Sequence, residues 1–221
     1  ANLVQGMRIE VVDTASGAPV PASEVSPDAL VHGASHQITG GFLSLLTPFT
    51  LLGGAVTCLL FLTHGALFIS LTERALRLAK RSSIASAAVT AVWALWAQLA
   101  HSPNALAWIP LVLAALALVG SLVLTYRGSE GSESRAFALH FAGIAFAVVF
   151  IFAAMAPDVM RSSVDKAYSL TIAQAASADT TLLIMTVAAV VFVPVVLVYT
   201  VWGYKVFSER ISAEAIDPHE G

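Results

Sequence analysis

Two histidines lie within apolar stretches of the chain, and by residue type they are the side chains best suited to bind a haem or a metal ion. His64 occurs in FLTHGALF, and His140 stands near the start of a later apolar run. Neither has a histidine, cysteine or carboxylate three or four residues further on, where one helical face would supply a second ligand. A neutral buried imidazole can instead bond a backbone carbonyl. The sequence therefore favours a structural role for both, and it predicts no catalytic, cofactor-binding or metal-binding residue in this chain.

The remaining histidines and the single cysteine add no ligand set. His101 is predicted at a helix end, whereas His32, His36 and His219 lie in polar terminal segments and are expected to be solvated. Cys58 has no partner for a disulfide within the chain, and its apolar surroundings predict a small packing residue. Neither a disulfide framework nor a zinc site is expected.

Carboxylates at the middle of a membrane span would be the best signal for a proton path, because a charge is costly there. The sequence has none at predicted mid-depth: Asp158 and Asp179 fall at predicted interfaces, where capping or wetting a helix end is the expected role. Gln98, near a helix end, predicts a helix–helix hydrogen bond. Proton transport by these residues alone is not favoured.

The composition predicts a membrane protein. Hydrophobic residues make up 57% of the 221 residues, charged residues only 11%, and the mean hydropathy is +0.82. The net charge of −3 and the lack of a basic stripe argue against nucleic-acid binding. About 20 apolar residues are needed to cross the bilayer. Five segments qualify and predict an all-α, polytopic fold: 47–71, 84–100, 105–126, 136–156 and 180–204.

Capping residues mark several of these helix starts. Thr47 precedes Pro48, Asn104 precedes a second segment, and Asp179 precedes the last one. Pro194 lies in the middle of that last segment, where its missing N–H frees a carbonyl one turn earlier and predicts a modest kink.

Lysine and arginine positions predict the orientation, because these side chains are retained on the cytoplasmic side. One set of helix ends carries eight of them, and it includes a charged stretch that is predicted to be a short loop attracted to anionic lipid: Glu73, Arg74, Arg77, Lys80 and Arg81. The other basic residues of this set are Arg127, Arg135, Lys205 and Arg210, and the opposite set has only Arg8, Arg161 and Lys166. We therefore expect a cytoplasmic C-terminus.

Aromatic residues lie toward the predicted helix ends, where a belt at the headgroup level is the common reason and contact with a quinone is the alternative. These residues are Trp93, Trp96, Trp108, Trp202 and Tyr204. Small residues within the segments, Gly53, Gly54 and Gly143, predict close helix packing.

Three regions follow from this pattern: a loop-like extracytoplasmic segment (1–41), a five-helix transmembrane domain (42–204) and a cytoplasmic tail (205–221). The first region starts with Ala and has no signal-peptide core, so it is expected to be an interhelical loop of a longer protein.

Four strings resemble subunit II of the cytochrome bd quinol oxidases in content, order and spacing. They are NLVQG from Asn2, LLTPFTLLGGAVTCLLFLTHGALFISL from Leu45, MAPDVMRSSVDKAYSLTIAQAAS from Met155 and TLLIMTVAAVVFVPVVLVYTVWGYKVFSERI from Thr181. The resemblance covers nearly the whole chain. It implies that this chain corresponds to the last five helices of that subunit, a four-helix bundle and one peripheral helix. The family's first four helices have no counterpart here.

The resemblance also implies a function. A haem-bearing subunit I would carry haem b, haem d and the quinol site, oxidise quinol and reduce O2 to water. This chain would support its assembly and stability as a subunit that is not itself catalytic, in the bacterial plasma membrane. Whether it holds a lipid or a structural quinone stays open, and small single-helix accessory subunits are further candidate partners.

Two other classes remain as alternatives. A small secondary transporter would need an ionisable residue at mid-depth and a pair of broken helices, and Pro194 is the only central breaker. A membrane assembly factor without turnover would differ from a true subunit only in its absence from the mature complex.

Overall fold

The computed structural model describes residues 1–26, 32–69, 73–128, 132–176 and 179–206. The chain divides into two units, Ala1–Ala175 and Ala176–Gly221. The first unit holds, in order, α1 (Asn2–Gln5), β1 (Ile9–Asp13), β2 (Ala34–Ile38), α2 (Pro48–Phe68), α3 (Glu73–Trp96), α4 (Trp108–Arg127), α5 (Ser132–Met155), β3 (Asp158–Met160), β4 (Leu170–Thr171) and α6 (Ile172–Ala175). The second unit holds α7 (Asp179–Val206).

Within the described residues, five helices are long and apolar enough to cross a membrane, which confirms the predicted number and the all-α class. The spans are Pro48–Phe68, Ala75–His101, Ala105–Arg127, Ser132–Met155 and Thr180–Gly203. The second span includes a π turn, Ala97–His101, that continues α3. The chain is a multi-pass membrane protein.

The charged stretch after α2 is not the predicted loop. Residues 73–81 form the first turns of α3, which therefore starts eleven residues before the predicted segment. Glu, Arg, Ala, Leu and Lys are all strong helix formers, so this stretch continues the helix although it is too polar to be buried in lipid. The Tyr126 hydroxyl, near the end of α4, donates to the Lys80 carbonyl in these first turns of α3 at 2.9 Å.

Local hydrogen bonds set the helix starts where the sequence predicts them. The Thr50 N–H donates to Thr47 Oγ1 at 3.2 Å, and the Thr47 N–H donates to Thr50 Oγ1 at 2.9 Å, which is a reciprocal cap on α2. Asn104 Oδ1 accepts from the Leu106 N–H at 3.0 Å in the turn before α4. α4 ends at Gly128, whose φ of 61° is the left-handed conformation that stops a helix.

Helices α2 to α5 form a bundle of antiparallel neighbours. Gly143 of α5 lies against Leu118 of α4, and Gly53 of α2 lies opposite Trp93 of α3, as close packing predicts. Gly54 does not contribute to this packing, because an added Cβ would meet nothing within 4 Å.

The two ends of the bundle differ in chemistry. At one end α2 and α4 finish while α3 and α5 begin, and we call it the basic end because it carries Arg77, Lys80, Arg81, Arg127 and Arg135. At the other end lie two small antiparallel sheets, and we call it the hairpin end. β1 pairs with β2, with Val11 opposite His36, and β3 pairs with β4. The sequence predicted a loop over 1–41 and missed strands β1 and β2 within it.

Helix α7 is the membrane-spanning helix of the second unit. It continues through Pro194 from Asp179 to Val206, and its described apolar side chains are largely exposed within the unit. Such a surface is typical of a helix covered by lipid or by other proteins. The kink at Pro194 stays a prediction.

Candidate functional site

His64 and His140 come from different helices and lie side by side in the bundle. Their ring centroids are 5.5 Å apart and the ring planes differ by 21°. His64 also stacks on Phe137, at 4.3 Å and 18°, and contacts Phe141 at 6.3 Å. Residues 137, 140 and 141 share one face of α5, so His64 of α2 packs on that face. A pair that forms between two helices gives no spacing signal within either helix, so the sequence does not predict it.

One nitrogen of each ring has no hydrogen-bond partner in the described part of the chain. The Nδ1 atoms of both His64 and His140 are buried, and His140 is only 2% exposed. Neither atom therefore has the expected carbonyl partner within the described residues. No group of three or more His, Cys, Asp or Glu side chains is arranged to hold a metal among the described residues. The chemistry that the pair offers is hydrogen bonding and proton exchange.

Four buried hydroxyl groups of the bundle share this feature. Thr63, Ser86, Thr90 and Ser132 are buried, and none of their oxygens has a partner within the described residues. By contrast, Ser121 donates to the Ala136 carbonyl at 2.7 Å.

These four hydroxyls and the two imidazoles make six buried polar groups without a hydrogen-bond partner among the residues that the structure describes. At about 1–3 kcal/mol each they would cost roughly 6–18 kcal/mol. That sum rivals the whole stability of a typical domain, about 5–15 kcal/mol, so we expect these groups to have partners in the membrane.

Nearer the hairpin end the four helices enclose an apolar cavity of about 240 Å³. Its walls include Gly53, Leu118 and Phe150. Thr90 and Trp93 also line it, and Thr90 Oγ1 and Trp93 Nε1 have no hydrogen-bond partner in the described structure. A cavity with such walls suits an apolar chain or a small apolar molecule rather than water.

The belt position predicted for Trp93 is wrong. The indole is buried and stacks on Phe49, with the centroids 5.4 Å apart. Trp96 and Trp108 are 40% and 39% exposed, which fits the predicted belt. Trp93 lies on the buried face of α3, whereas Trp96 does not. Both residues lie near the same helix end, so their positions in the sequence do not distinguish them.

Arg161 joins three segments at the hairpin end. Its Nη1 donates to the carbonyl of Val4 at 3.1 Å and to that of His101, and its Nη2 donates to the carbonyls of Ala154 and Met155, both at 3.2 Å. The guanidinium thereby caps the ends of α3 and α5 and holds α1 to them.

The acidic partner of this arginine is Asp158. Its Oδ2 lies 3.5 Å from Arg161 Nε, and the two side chains are 10% and 14% exposed. Asp158 was predicted to cap or wet a helix end, but it forms a largely buried ion pair. All the nitrogens of Arg161 are engaged in these contacts, which makes the cluster a structural clasp rather than an anion site.

Several predicted placements change for the same reason, namely that tertiary packing decides which way a side chain faces. Cys58 is exposed on the outside of the bundle instead of packed within it. Gln98 donates to the Asn104 carbonyl at 3.2 Å, in the loop after α3, instead of bridging two helices. His101 does end its helical segment, as predicted, and it packs edge-on against Phe49 at 4.6 Å.

The two small sheets bring polar groups into a partly buried setting. His36 is half-buried on β2, and its Nε2 has no hydrogen-bond partner among the described residues, so it is not simply solvated. Burial lowers the pKa of its imidazole. His32 is exposed as predicted. Asp13 accepts from the Ser16 N–H at 2.7 Å and from the Ser16 hydroxyl at 2.9 Å, and these bonds lower the pKa of the Asp13 carboxyl.

Some predictions fall outside the described part of the chain. They concern the side chains of Glu73, Arg74, Asp179 and Tyr204, and the residues Arg210 and His219.

The sequence matches one protein family over almost its full length. The model of that family, described as cytochrome bd terminal oxidase subunit II, matches residues 1–207. The match takes in all five candidate spans and both small sheets.

Curated proteins of the same description are similar to the chain. It is 32% identical over 174 residues to the cytochrome bd ubiquinol oxidase subunit 2 of Bacillus subtilis (strain 168), covering 76% of this chain and 52% of that protein. It is 31% identical over 215 residues to the cytochrome bd-I ubiquinol oxidase subunit 2 of Escherichia coli (strain K12), covering 81% and 57%. For the probable cytochrome oxidase subunit 2 of Haemophilus influenzae, the identity is 31% over 219 residues, covering 82% and 57%. The chain spans about half the length of these relatives.

Proposed function

The chain belongs to the cytochrome bd terminal oxidase subunit II family, and from this we propose that it supports a haem-bearing partner in a quinol oxidase of the bacterial plasma membrane. In the complex, two quinols are oxidised to quinones, and the four electrons they give up, with four protons, convert one O2 to two waters. Haem b and haem d belong to the partner, and this chain takes part without binding the reacting atoms. The observation that carries the proposal is the family match over residues 1–207.

The architecture supports a role in holding a partner. The clasp at Arg161 and the reciprocal cap at Thr47 fix the helix ends with contacts inside the chain. A bundle fixed in this way presents its apolar outer faces to neighbouring helices without needing to rearrange. Small single-helix accessory subunits are further proposed partners.

The orientation is part of the same proposal. The basic residues predict that the basic end of the bundle and residues 205–221 face the cytoplasm, and that residues 1–41 and the hairpin end face outward. Both small sheets then lie on the side at which quinol is oxidised in the family.

The apolar cavity is the proposed site for a lipid or a structural quinone. Both carry a long apolar chain, and walls such as Leu118 and Phe150 favour that part of either molecule. Organic extraction of the purified complex, followed by mass spectrometry, distinguishes phospholipid from quinone. Enlarging Ala114, which lines the cavity, to Phe should lower the amount of bound molecule.

Purification through a tag on this chain tests the main proposal. We expect a larger membrane chain, the spectra of haem b and haem d, and quinol oxidase activity in one stoichiometric complex. A colourless chain isolated under the same mild conditions would contradict it. An assembly factor would leave the mature complex, so its absence from an active oxidase, with haem lost only when its gene is deleted, would favour that alternative.

A further inference from the structure

We propose that the groove between α3 and α4 holds one anionic phospholipid, with its phosphate at the basic end and one acyl chain reaching the apolar cavity. We call this groove the α3–α4 seam. One face of each helix forms a wall of the seam: Lys80, Ile84, Ala87 and Ala91 on α3, and Tyr126, Leu122, Val119 and Ala115 on α4. The proposal rests on the proposed role of the cavity as a ligand site, and it does not depend on the oxidase role.

One contact sets the level of the two walls. The Tyr126 hydroxyl donates to the Lys80 carbonyl at 2.9 Å, which brings the start of α3 beside the end of α4. Ala91 lies eleven residues after Lys80, and Ala115 lies eleven residues before Tyr126. Eleven residues are about three turns, so each pair shares one face of its helix. Because the helices run antiparallel, Ala91 and Ala115 lie at about the same level, roughly 16 Å along the seam.

At this level the seam meets the rim of the cavity. Ala87 and Ala91 of α3 and Ala115 and Val119 of α4 all line the cavity. Ala91, Ala115 and Val119 are also exposed, and Ala87 is half-buried. Side chains that line a cavity and are also exposed mark its rim, and alanines on both helices leave room between them. An acyl chain can therefore enter the cavity sideways from the membrane.

Two other routes to the cavity from the basic end are blocked by described side chains. The bundle axis at that end is filled by a cluster of buried apolar residues: Ala66, Leu67, Ala79 and Ala136. Between α2 and α5, His64 stacks on Phe137 with the ring centroids 4.3 Å apart, so these rings fill the space there. The chain must therefore follow the outer α3–α4 seam.

The basic end of the seam carries positive charge. Lys80 is half-buried, and its Nζ lies over the ring of Tyr126 at 5.8 Å from the centroid, which holds the ammonium group between the two helices. Arg81 and Arg127 are exposed and follow Lys80 and Tyr126 in the sequence. None of these three cations forms an ion pair with a described residue. The exposed carboxylate of Glu133 belongs to α5, outside the seam.

This charge decides which apolar molecule suits the seam. A lipid phosphate is negative and gains from each nearby lysine or arginine, whereas a quinone headgroup is neutral and does not. The apolar walls below Lys80 then suit an acyl chain. Charge complementarity at one end and the cavity at the other therefore favour an anionic phospholipid over a quinone.

Native mass spectrometry of the holoenzyme tests the headgroup. The probes are phosphatidylglycerol and phosphatidylcholine with the same acyl chains, supplied in nanodiscs. Lys80→Gln and Arg127→Gln each remove one charge at the seam, and Arg135→Gln, on the exposed start of α5, is the matched control. We expect one phosphatidylglycerol to be retained in preference to phosphatidylcholine. Each seam variant should weaken its binding about fivefold, and Arg135→Gln should change it by less than about twofold.

A second pair of variants tests the acyl chain. Ala91→Phe fills the rim of the cavity and should weaken retention at least about fivefold, whereas Ala85→Phe, an exposed position of α3 that does not line the cavity, should not. Equal retention of the two lipids, an equal effect of Lys80→Gln and Arg135→Gln, or an equal effect of the two phenylalanine variants would overturn the proposal.

An experimental map of the unmodified complex is the third measurement, since it does not depend on a variant. We expect a phosphate within hydrogen-bonding distance of Lys80 Nζ and a chain along Ala87 and Ala91. An empty seam, or a quinone in place of the phospholipid, would refute the proposal. If no haem-bearing chain co-purifies, the oxidase role fails, while lipid retention by this chain can still be measured.

Discussion

The clasp at Arg161 gives the sharpest stability prediction. In Arg161→Met the apolar stem is kept, but the carbonyls of α1, α3 and α5 lose their shared donor and Asp158 is left as a largely buried carboxylate without its cation. Breaking one partner of a buried pair costs about 3–5 kcal/mol. At roughly 2–4 °C per kcal/mol for a chain of this size, the melting temperature should fall by about 6–20 °C.

Two further variants show whether the carbonyl contacts or the ion pair matter more. Arg161→Lys keeps the charge but cannot reach the three segments with one ammonium, so we expect an intermediate loss. Asp158→Asn removes only one contact of 3.5 Å, which is longer than a good charged hydrogen bond, and should cost less than either.

The melting temperatures of these variants are measured by thermal denaturation of the purified complex, followed by fluorescence of this chain. All variants are heated at the same rate, because membrane complexes unfold irreversibly and the melting temperature then depends on that rate. The matched control is Lys166→Met, which removes an exposed cation from the same loop and should change the stability by less than about 0.5 kcal/mol. If Arg161→Met melts no lower than Asp158→Asn, the carbonyl contacts do not hold the helix ends and the reasoning is wrong.

Three other predictions concern packing, pH and α7. Gly143→Ala should destabilise the bundle by about 1–3 kcal/mol, because its Cβ would lie 2.7 Å from Leu118, whereas Gly54→Ala should be neutral or stabilising; equal melting temperatures would contradict this. Burial lowers the pKa of His36, so the β1–β2 sheet should lose amide protection as pH falls below about 6.5. Hydrogen exchange, corrected for intrinsic rates, measures this protection, and His36→Gln should remove its dependence on pH. Pro194→Ala restores a backbone donor and should straighten α7, which spin-label distances along the helix would detect; unchanged distances would show that the proline causes no bend.

The sign of the pH effect follows from linkage. A histidine whose pKa is lowered by folding binds its proton more readily in the unfolded chain, so acid favours unfolding. The stability of the sheet is therefore fully present above the ordinary histidine pKa and declines as pH falls through it toward the lowered value. A protection pattern that improves in acid would mean that His36 gains a charged partner.

The sequence alone determined the membrane spans, their number and several of their starts. Thr47 caps α2 and Asn104 caps the turn before α4 through bonds to residues only two or three positions away. Such features depend on neighbours along the chain and on the length of an apolar run, both of which can be read directly. The family resemblance of the four strings was likewise present in the sequence and is confirmed by the match over residues 1–207.

Which side chains meet depends on how the helices pack, and this could not be predicted from the sequence. His64 and His140 are 76 positions apart in the chain and pair only because α2 packs on α5. Arg161 contacts Val4 across 157 positions, and Trp93 is buried whereas Trp96 is 40% exposed, although both lie near the same helix end. A membrane-spanning helix is apolar on most of its surface, so hydropathy does not predict which face packs against the other helices. The burial of the polar side chains therefore follows only from the packing of the helices.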